Sequence, residues 1–175
     1  MVLRINWQGE VIGESAPLSN IVYPLMRLPR SGIFVGCRTG AAYLMDQDLQ
    51  VRHLGSFGLG IYGAAYSESL DRLLLGSRDG TLFVLNPGGT VHAAWPTPAN
   101  RLWNLCPDKP DDRFVWASSY NGTLYKLDAL TGEIVFSRNF GPGATTLISW
   151  LSSGLLAVGS LKKKVFLLDS SGGLT

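Results

Sequence analysis

The sequence predicts an all-β protein assembled from repeated four-stranded units, and three observations carry that expectation. An Asn or Asp closes an apolar segment at positions 6, 46, 86, 128 and 169, giving spacings of 40, 40, 42 and 41 residues. Gly (21) is abundant beside Trp (5), Tyr (6) and Phe (7) in 175 residues, a mixture that favours tight turns between short aromatic-rich strands. Asp79-Gly80 and Asn121-Gly122 stand between apolar runs, where a two-residue hairpin turn needs residues that reach φ > 0 at little cost.

Taken in order, the first period supplies a third strand at residues 2–6 (VLRIN) and a fourth near 10–17. Residues 22–26 (VYPLM) open the next period as its innermost strand, and GCRTGAAYLMD (36–46) carries its second and third strands. IYGAAYS (61–67) then leads into a charged turn at 68–72, followed by LLLGS (73–77) and TLFVL (81–85). Pro87-Gly88-Gly89 turns the chain into TVHAAW (90–95), which closes that unit. LWNLC (102–106) and ASSYNGTLYKLD (117–128) repeat the pattern, as do TLISW (146–150) and GSLKKKVFLLD (159–169). The Asp or Asn after each third strand has a side chain suited to accept from its own backbone two residues on, which sets up the turn into the fourth strand. Four strands in a period of about 41 residues are the signature of a β-propeller blade. Residues 1–175 are therefore read as a single propeller domain, or a propeller fragment, with the length of about four blades.

Composition narrows the function classes. A formal net charge of +2 leaves no electrostatic footprint of a nucleic-acid or membrane-surface binder, so neither partner is expected. Charged residues make up 16% and hydrophobic ones 46%, which excludes intrinsic disorder. Cys37 and Cys106 lie far apart and His53 and His92 fall on fourth strands of different units, so no metal site and no disulfide framework is expected. Arg4 and Glu10 interrupt any signal-peptide core, and the expected compartment is the cytoplasm. The uncharged run between Arg138 and Lys162 has the length of a membrane span, but its glycines, its proline and its register with the repeats mark it as strands.

The segment NGTLYKLDALTGEIVF (121–136) resembles the repeat of the quinoprotein-like, or pyrroloquinoline-quinone (PQQ), propellers, and DGTLFVLNPGGTV (79–91) is a looser copy. The aromatic that is often Trp in that family is Phe136 here. WD-repeat propellers are the sister reading, although no Trp-Asp closes a third strand and no Gly-His opens a repeat. The resemblance implies a propeller fold. PQQ dehydrogenases of that family carry adjacent cysteines, a metal and a catalytic carboxylate; this chain has no adjacent Cys pair, so neither PQQ nor another cofactor is expected. The outer-membrane assembly lipoprotein that shares the repeat is an analogy for scaffolding.

In a propeller, the hairpins between second and third strands share one face with the loops that link blades. Arg38, Arg78, Tyr120 and the run Lys162, Lys163, Lys164 fall on those hairpins, Arg101 falls on a linking loop, and Asp79 is the one acidic residue among the tips. The expected role is a mildly basic face that receives an acidic protein partner, although solvated hairpin tips are polar in any case. Trp95, Trp103, Trp116, Trp150, Tyr62 and Tyr66 are expected mainly to pack between blades, with Trp103 and Trp150 placed to line a channel. The glycines of GLGIYG (58–63) read as a blade-to-blade turn, and Asp108, Asp111 and Asp112 as a solvated loop or a weak cation attractor. No nucleophile elbow, zincin helix or Walker loop is present.

The expected function is a non-catalytic binding or scaffold module for protein–protein interaction. Rival readings are a small-molecule or carbohydrate-binding propeller and a propeller lyase or hydrolase, for which the inner strands offer Tyr and Asn104 but no carboxylate or His. Either the strand near 10–17 closes the last blade and seals a four-blade ring, or the chain is half of an eight-bladed ring. In the second case a homodimer partner or another propeller-completing chain supplies the rest, and this arrangement is preferred because an open half-ring exposes strand edges.

Overall fold

The computed structural model describes residues 1–29, 32–141 and 147–175, Leu147 by its backbone. Its strands form five antiparallel sheets. β1 (Leu3–Ile5) pairs with β2 (Val11–Glu14) as a two-stranded sheet. Three four-stranded blades follow, each in simple meander order. They are β3 (Val22–Arg27), β4 (Ile33–Cys37), β5 (Ala41–Met45) and β6 (Val51–Ser56); β7 (Ile61–Ser67), β8 (Arg72–Ser77), β9 (Thr81–Leu85) and β10 (Val91–Pro96); and β11 (Leu102–Pro107), β12 (Phe114–Ser119), β13 (Thr123–Asp128) and β14 (Ile134–Asn139). A three-stranded sheet of β15 (Leu147–Trp150), β16 (Leu156–Gly159) and β17 (Val165–Leu168) ends the chain. The uncharged run thus forms strands where it is described, and among the described residues no helix is long and apolar enough to cross a membrane.

The first strands β3, β7, β11 and β15 neighbour one another in sequence and form the inner edge of an arc. The core lies between blades rather than within one. Phe34 and Ala42 of the first blade meet Ile61, Leu73, Leu75 and Leu85 of the second. Leu82 and Val84 meet Leu102, Val115 and Leu127 of the third. Trp116 and Leu124 meet Ile148, Leu156 and Leu168 of the last sheet. A middle strand such as β8 is buried on both faces, which is why its sequence, RLLLGS, does not alternate.

The closing Asn and Asp residues act as expected. Asn6, Asp46, Asp128 and Asp169 each accept, through Oδ1, the N–H two residues on, at 2.8–3.0 Å. At the tip of the resulting turn the blades interlock. Gly132, at φ +75, faces the Trp95 indole of the preceding blade, and an added Cβ would come within 2.5 Å of it. Gly89 faces Leu54 and Gly172 faces Phe136 in the same way. The first junction is inverted: Leu49 takes the left-handed turn position, at φ 62, and its side chain reaches across to Gly13 on β2.

Three expectations are corrected. The hairpins at Asp79-Gly80 and Asn121-Gly122 are not two-residue turns with two left-handed residues. Only the glycines have positive φ, and Gly80 and Gly122 donate their N–H to Ser77 and Ser119, so each turn ends on a left-handed glycine that bulges into the next strand. The strand near 10–17 does not close the last blade: β2 is bound to β1, and among the described residues the outer edge of β17 meets the chain's own end, by the bridge from Leu168 to Leu174 and the N–H of Thr175 donated to Leu167. The three aspartates of 108–112 do not converge on a cation. Asp108 is buried, accepting Trp116 Nε1 at 3.0 Å and Lys126 Nζ at 2.7 Å, while Asp112 accepts the N–H groups of Glu68 and Ser69 in the neighbouring blade and Asp111 accepts Arg113 N–H.

The interlock predicts that Gly132→Ala lowers unfolding free energy by about 2–3 kcal/mol, combining left-handed strain with overpacking. Gly88→Ala, where a Cβ meets nothing within 4 Å, should stay within about 0.5 kcal/mol in the same urea titration. Acid should also loosen the junctions. The Arg113 guanidinium holds Asp128 below the usual carboxyl range, the Ser171 hydroxyl and the Gly173 N–H do so for Asp169, and at Asp112 the bonds from Ser69 and Glu68 outweigh an opposing effect of burial. Because these folded pKa values lie below the unfolded ones, their stabilisation is complete above about pH 4–5 and is lost as pH falls through the folded values. Thermal melting followed by circular dichroism should therefore be flat from neutrality to about pH 5 and drop below about pH 4.

Candidate functional site: the inner rim and its turns

Register fixes which residues meet at the rim. Arg38, Arg78 and Tyr120 each follow a second strand, and their N–H groups donate to the carbonyls of Ile21, Gly60 and Arg101 at 2.8–3.1 Å. These bonds make the three residues equivalent and place them beside the start of the innermost strands. Two residues beyond each accepting carbonyl stand Tyr23, Tyr62 and Trp103, also equivalent. Tyr23 stacks on Tyr62 with centroids 4.5 Å apart and 24° between planes. Tyr62 lies 5.2 Å from Trp103, and Trp103 lies 5.8 Å from Tyr120, both tilted. The result is a ladder of rings along the inner rim across three blades.

Arg101 sits against this ladder. Its guanidinium carbon is 4.9 Å from the Tyr62 centroid, 5.4 Å from Trp103 and 4.8 Å from Tyr120. Among the described residues no carboxylate pairs with it, and its Nε is buried without an acceptor. Asp79, the acidic tip, is occupied by its own turn: its carboxylate accepts Thr81 N–H at 3.0 Å and the Leu59 backbone. Burial raises its pKa, but the bonds from Thr81, Ser77 and Leu59 outweigh that effect and the net shift is downward.

Of the residues expected on the basic face, the structure brings Arg101 and Tyr120 into contact and leaves Arg38 and Arg78 exposed on the neighbouring turns. The lysines are displaced by one position from the tip. Lys163 donates its N–H to Ser160 and has φ 61, so it fills the place of Gly40, Gly80 and Gly122. Leu161, not a lysine, is therefore the counterpart of Arg38, Arg78 and Tyr120, with Lys162 and Lys164 on either side of the left-handed residue. Repeat alignment alone hid this shift because the last copy lacks the Gly that marks the turn.

The other aromatics separate cleanly. Trp95, Trp116 and Trp150 donate their indole N–H to Ala129 carbonyl, Asp108 and Pro107 carbonyl, and pack between blades. Trp150 lies on an innermost strand without lining a channel. Trp103 remains at the rim. Tyr23, whose exposure is 43%, was not singled out in the sequence, although its place in VYPLM matches Tyr62 in IYGAAY and Trp103 in LWNLC.

No family model matches the chain, and no curated protein matches it. Solved structures do. The WD40 β-propeller domain of Doa1 superposes with a TM-score of 0.72 at 16% identity over 85% of this chain and 50% of its own. The computationally designed Ika8 protein superposes with a TM-score of 0.76 at 18% identity over 95% of this chain and 52% of its own. The fold is a β-propeller. The chain spans about half the length of these two proteins.

Cys37 and Cys106 behave as small packed residues. Burial raises the pKa of both thiols, that of Cys106 to about 11. At pH 8 the folded protein should react with a disulfide reagent such as DTNB far more slowly than free cysteine, and both thiols (Cys37 and Cys106) should titrate promptly in guanidinium.

Proposed function

We propose that this chain is a non-catalytic protein-interaction module whose end sheets are completed by a second copy of itself, with its basic turn face offered to an acidic protein partner. The observation that carries the reading is an uncapped apolar flank at each end of the arc. Two residues beyond the left-handed turn position stand Ala42, Leu82 and Leu124, each 0% exposed against the next blade; Val165 at the same position of the last sheet is 69% exposed. At the other end, Leu105 is 6% exposed against the preceding blade, whereas its counterpart Leu25 is 54% exposed. A cleft of about 1030 Å³ opens beside it, lined by Leu3, Arg4, Leu25, Arg27, Ile33 and Met45, where a complete preceding blade has its first two strands.

A second copy fits both ends because each supplies what the other lacks. Among the described residues, β15 and β16 are first and second strands without a fourth, and β1 and β2 are third and fourth strands without a first. Two copies then give six full blades and two shared ones, in keeping with the likeness of this chain to half of a WD40 propeller domain. The shared blade receives its third strand twice, from β17 and from β1, and the shorter β1, exposed along its three residues, is the one to yield. The segment 121–136 supports a quinoprotein-like rather than a WD-repeat lineage for these blades.

Light scattering behind size exclusion should give a sharp species near twice 18.9 kDa at tens of micromolar protein. Val165→Glu together with Leu25→Glu should return it to a monomer with an unchanged β-type circular dichroism spectrum. A monomer from the unmodified chain overturns the dimer. For the basic face, exchanging Lys162, Lys163 and Lys164 for Glu should abolish capture of an acidic peptide. An unchanged affinity removes the lysines from the contact surface.

A further inference from the structure

We infer that the inner rim holds a site for a single carboxylate side chain of the acidic partner, anchored by Arg101 and walled by Tyr62, Trp103 and Tyr120. The inference rests on the acidic-partner reading above and assigns it one recognition centre. A guanidinium held against three rings has lost part of its hydration, and the rings repay this through their negative faces. They provide no acceptor for its N–H groups. The Nε of Arg101 is buried without an acceptor, among the described residues no carboxylate pairs with the group's terminal N–H groups, and the carboxylate of Asp79, the acidic tip, is committed to Thr81 and Leu59. A carboxylate matches the two-pronged donor edge of a guanidinium that is already fixed in orientation, so little side-chain entropy remains to be lost on binding.

The ladder also selects against other ligands. Tyr23 and Tyr62 turn their faces to each other, and Trp103 stands between Tyr62 and Tyr120 with its guanidinium neighbour over it. Sugars and nucleobases bind by lying on open aromatic faces, and here one face of each of Tyr62, Trp103 and Tyr120 is already met by a neighbouring ring or by the Arg101 guanidinium. The rings also present hydrogen-bearing edges, the positive end of the ring quadrupole, and the tyrosines their hydroxyls. Both favour an anion. A nucleic acid would further need a run of phosphate contacts that a chain of net charge +2 does not supply. Arg38 and Arg78, exposed on the adjacent turns, would then meet acidic residues flanking the anchored one.

The probe is an N-acetylated, C-amidated hexaglutamate peptide titrated into the full chain, with hexaglutamine as control. The Arg101 Nε–H resonance should shift with the peptide, together with the Trp103 indole. Arg101→Lys, which keeps the charge and loses the planar fork, should weaken binding about tenfold or more. Tyr120→Leu, at a ring that is 47% exposed and not needed for the core, should weaken it several-fold. Arg38→Lys should change it less than about twofold. If hexaglutamate binds with equal affinity to the native chain and to Arg101→Lys, and the Arg101 resonance is static, the anchor is wrong and the acidic face stands. If hexaglutamate fails to bind the native chain, or hexaglutamine binds as well, the acidic-partner reading falls and the anchor with it.

Discussion

Everything in this molecule depends on the burial of each sheet on both faces. A four-stranded blade of this sequence cannot hide its apolar side chains within itself, because strands such as β8 and β12 carry them on either side. Burial comes from neighbours, and among the described residues the three apolar clusters are all located between sheets. Stability is therefore shared out along the arc, as in other repeat architectures. The two ends are where this arrangement stops, which gives Val165 and Leu25 a different fate from Leu124 and Leu105 although the local sequence treats them alike.

The same geometry produces the rim. Blades that fan outward approach most closely at their first strands, so residues one blade apart come within stacking distance there. Tyr23, Tyr62 and Trp103 are brought together by that convergence and not by proximity in the chain. The residue that links the last ring of the ladder to the rest is Arg101, whose carbonyl accepts Tyr120 N–H while its side chain covers the Tyr120 ring. Backbone pairing and side-chain packing thus fix the same two residues relative to each other, which is the kind of preorganisation a recognition site requires.

Much of this was legible in the residues. The spacing of Asn6, Asp46, Asn86, Asp128 and Asp169 marks the blades because each closes a third strand, and the Asx turns at four of them are the physical cause of the signal. The innermost strands and the membership of Arg101 and Tyr120 in one face were equally readable. What was not readable depends on partners remote in sequence. The position of Lys163 at a glycine site is invisible without the hydrogen bond to Ser160, and the pairing of β2 with β1 in place of β17 is a choice between two edges of similar pattern. Asp108 looks like a loop acid beside Lys109 and Pro110, yet Trp116 and Lys126 draw it into the packed interior.

The inverted junction at Leu49 and Gly13 means that the blades are not interchangeable parts. At the later junctions a bulky side chain projects forward onto a glycine of the next blade; at the first, the bulk projects backward onto a glycine of the hairpin. A chimaera carrying a copy of the second blade in place of the first would set Gly89 against Gly13 and leave a hole, whereas Leu49 moved to a later junction would collide with Trp95 or Phe136. The order of the units is thereby written into their seams. Duplication or shuffling of whole repeats, which the near-constant period would otherwise permit, is restricted at this seam to changes that alter both of its sides together.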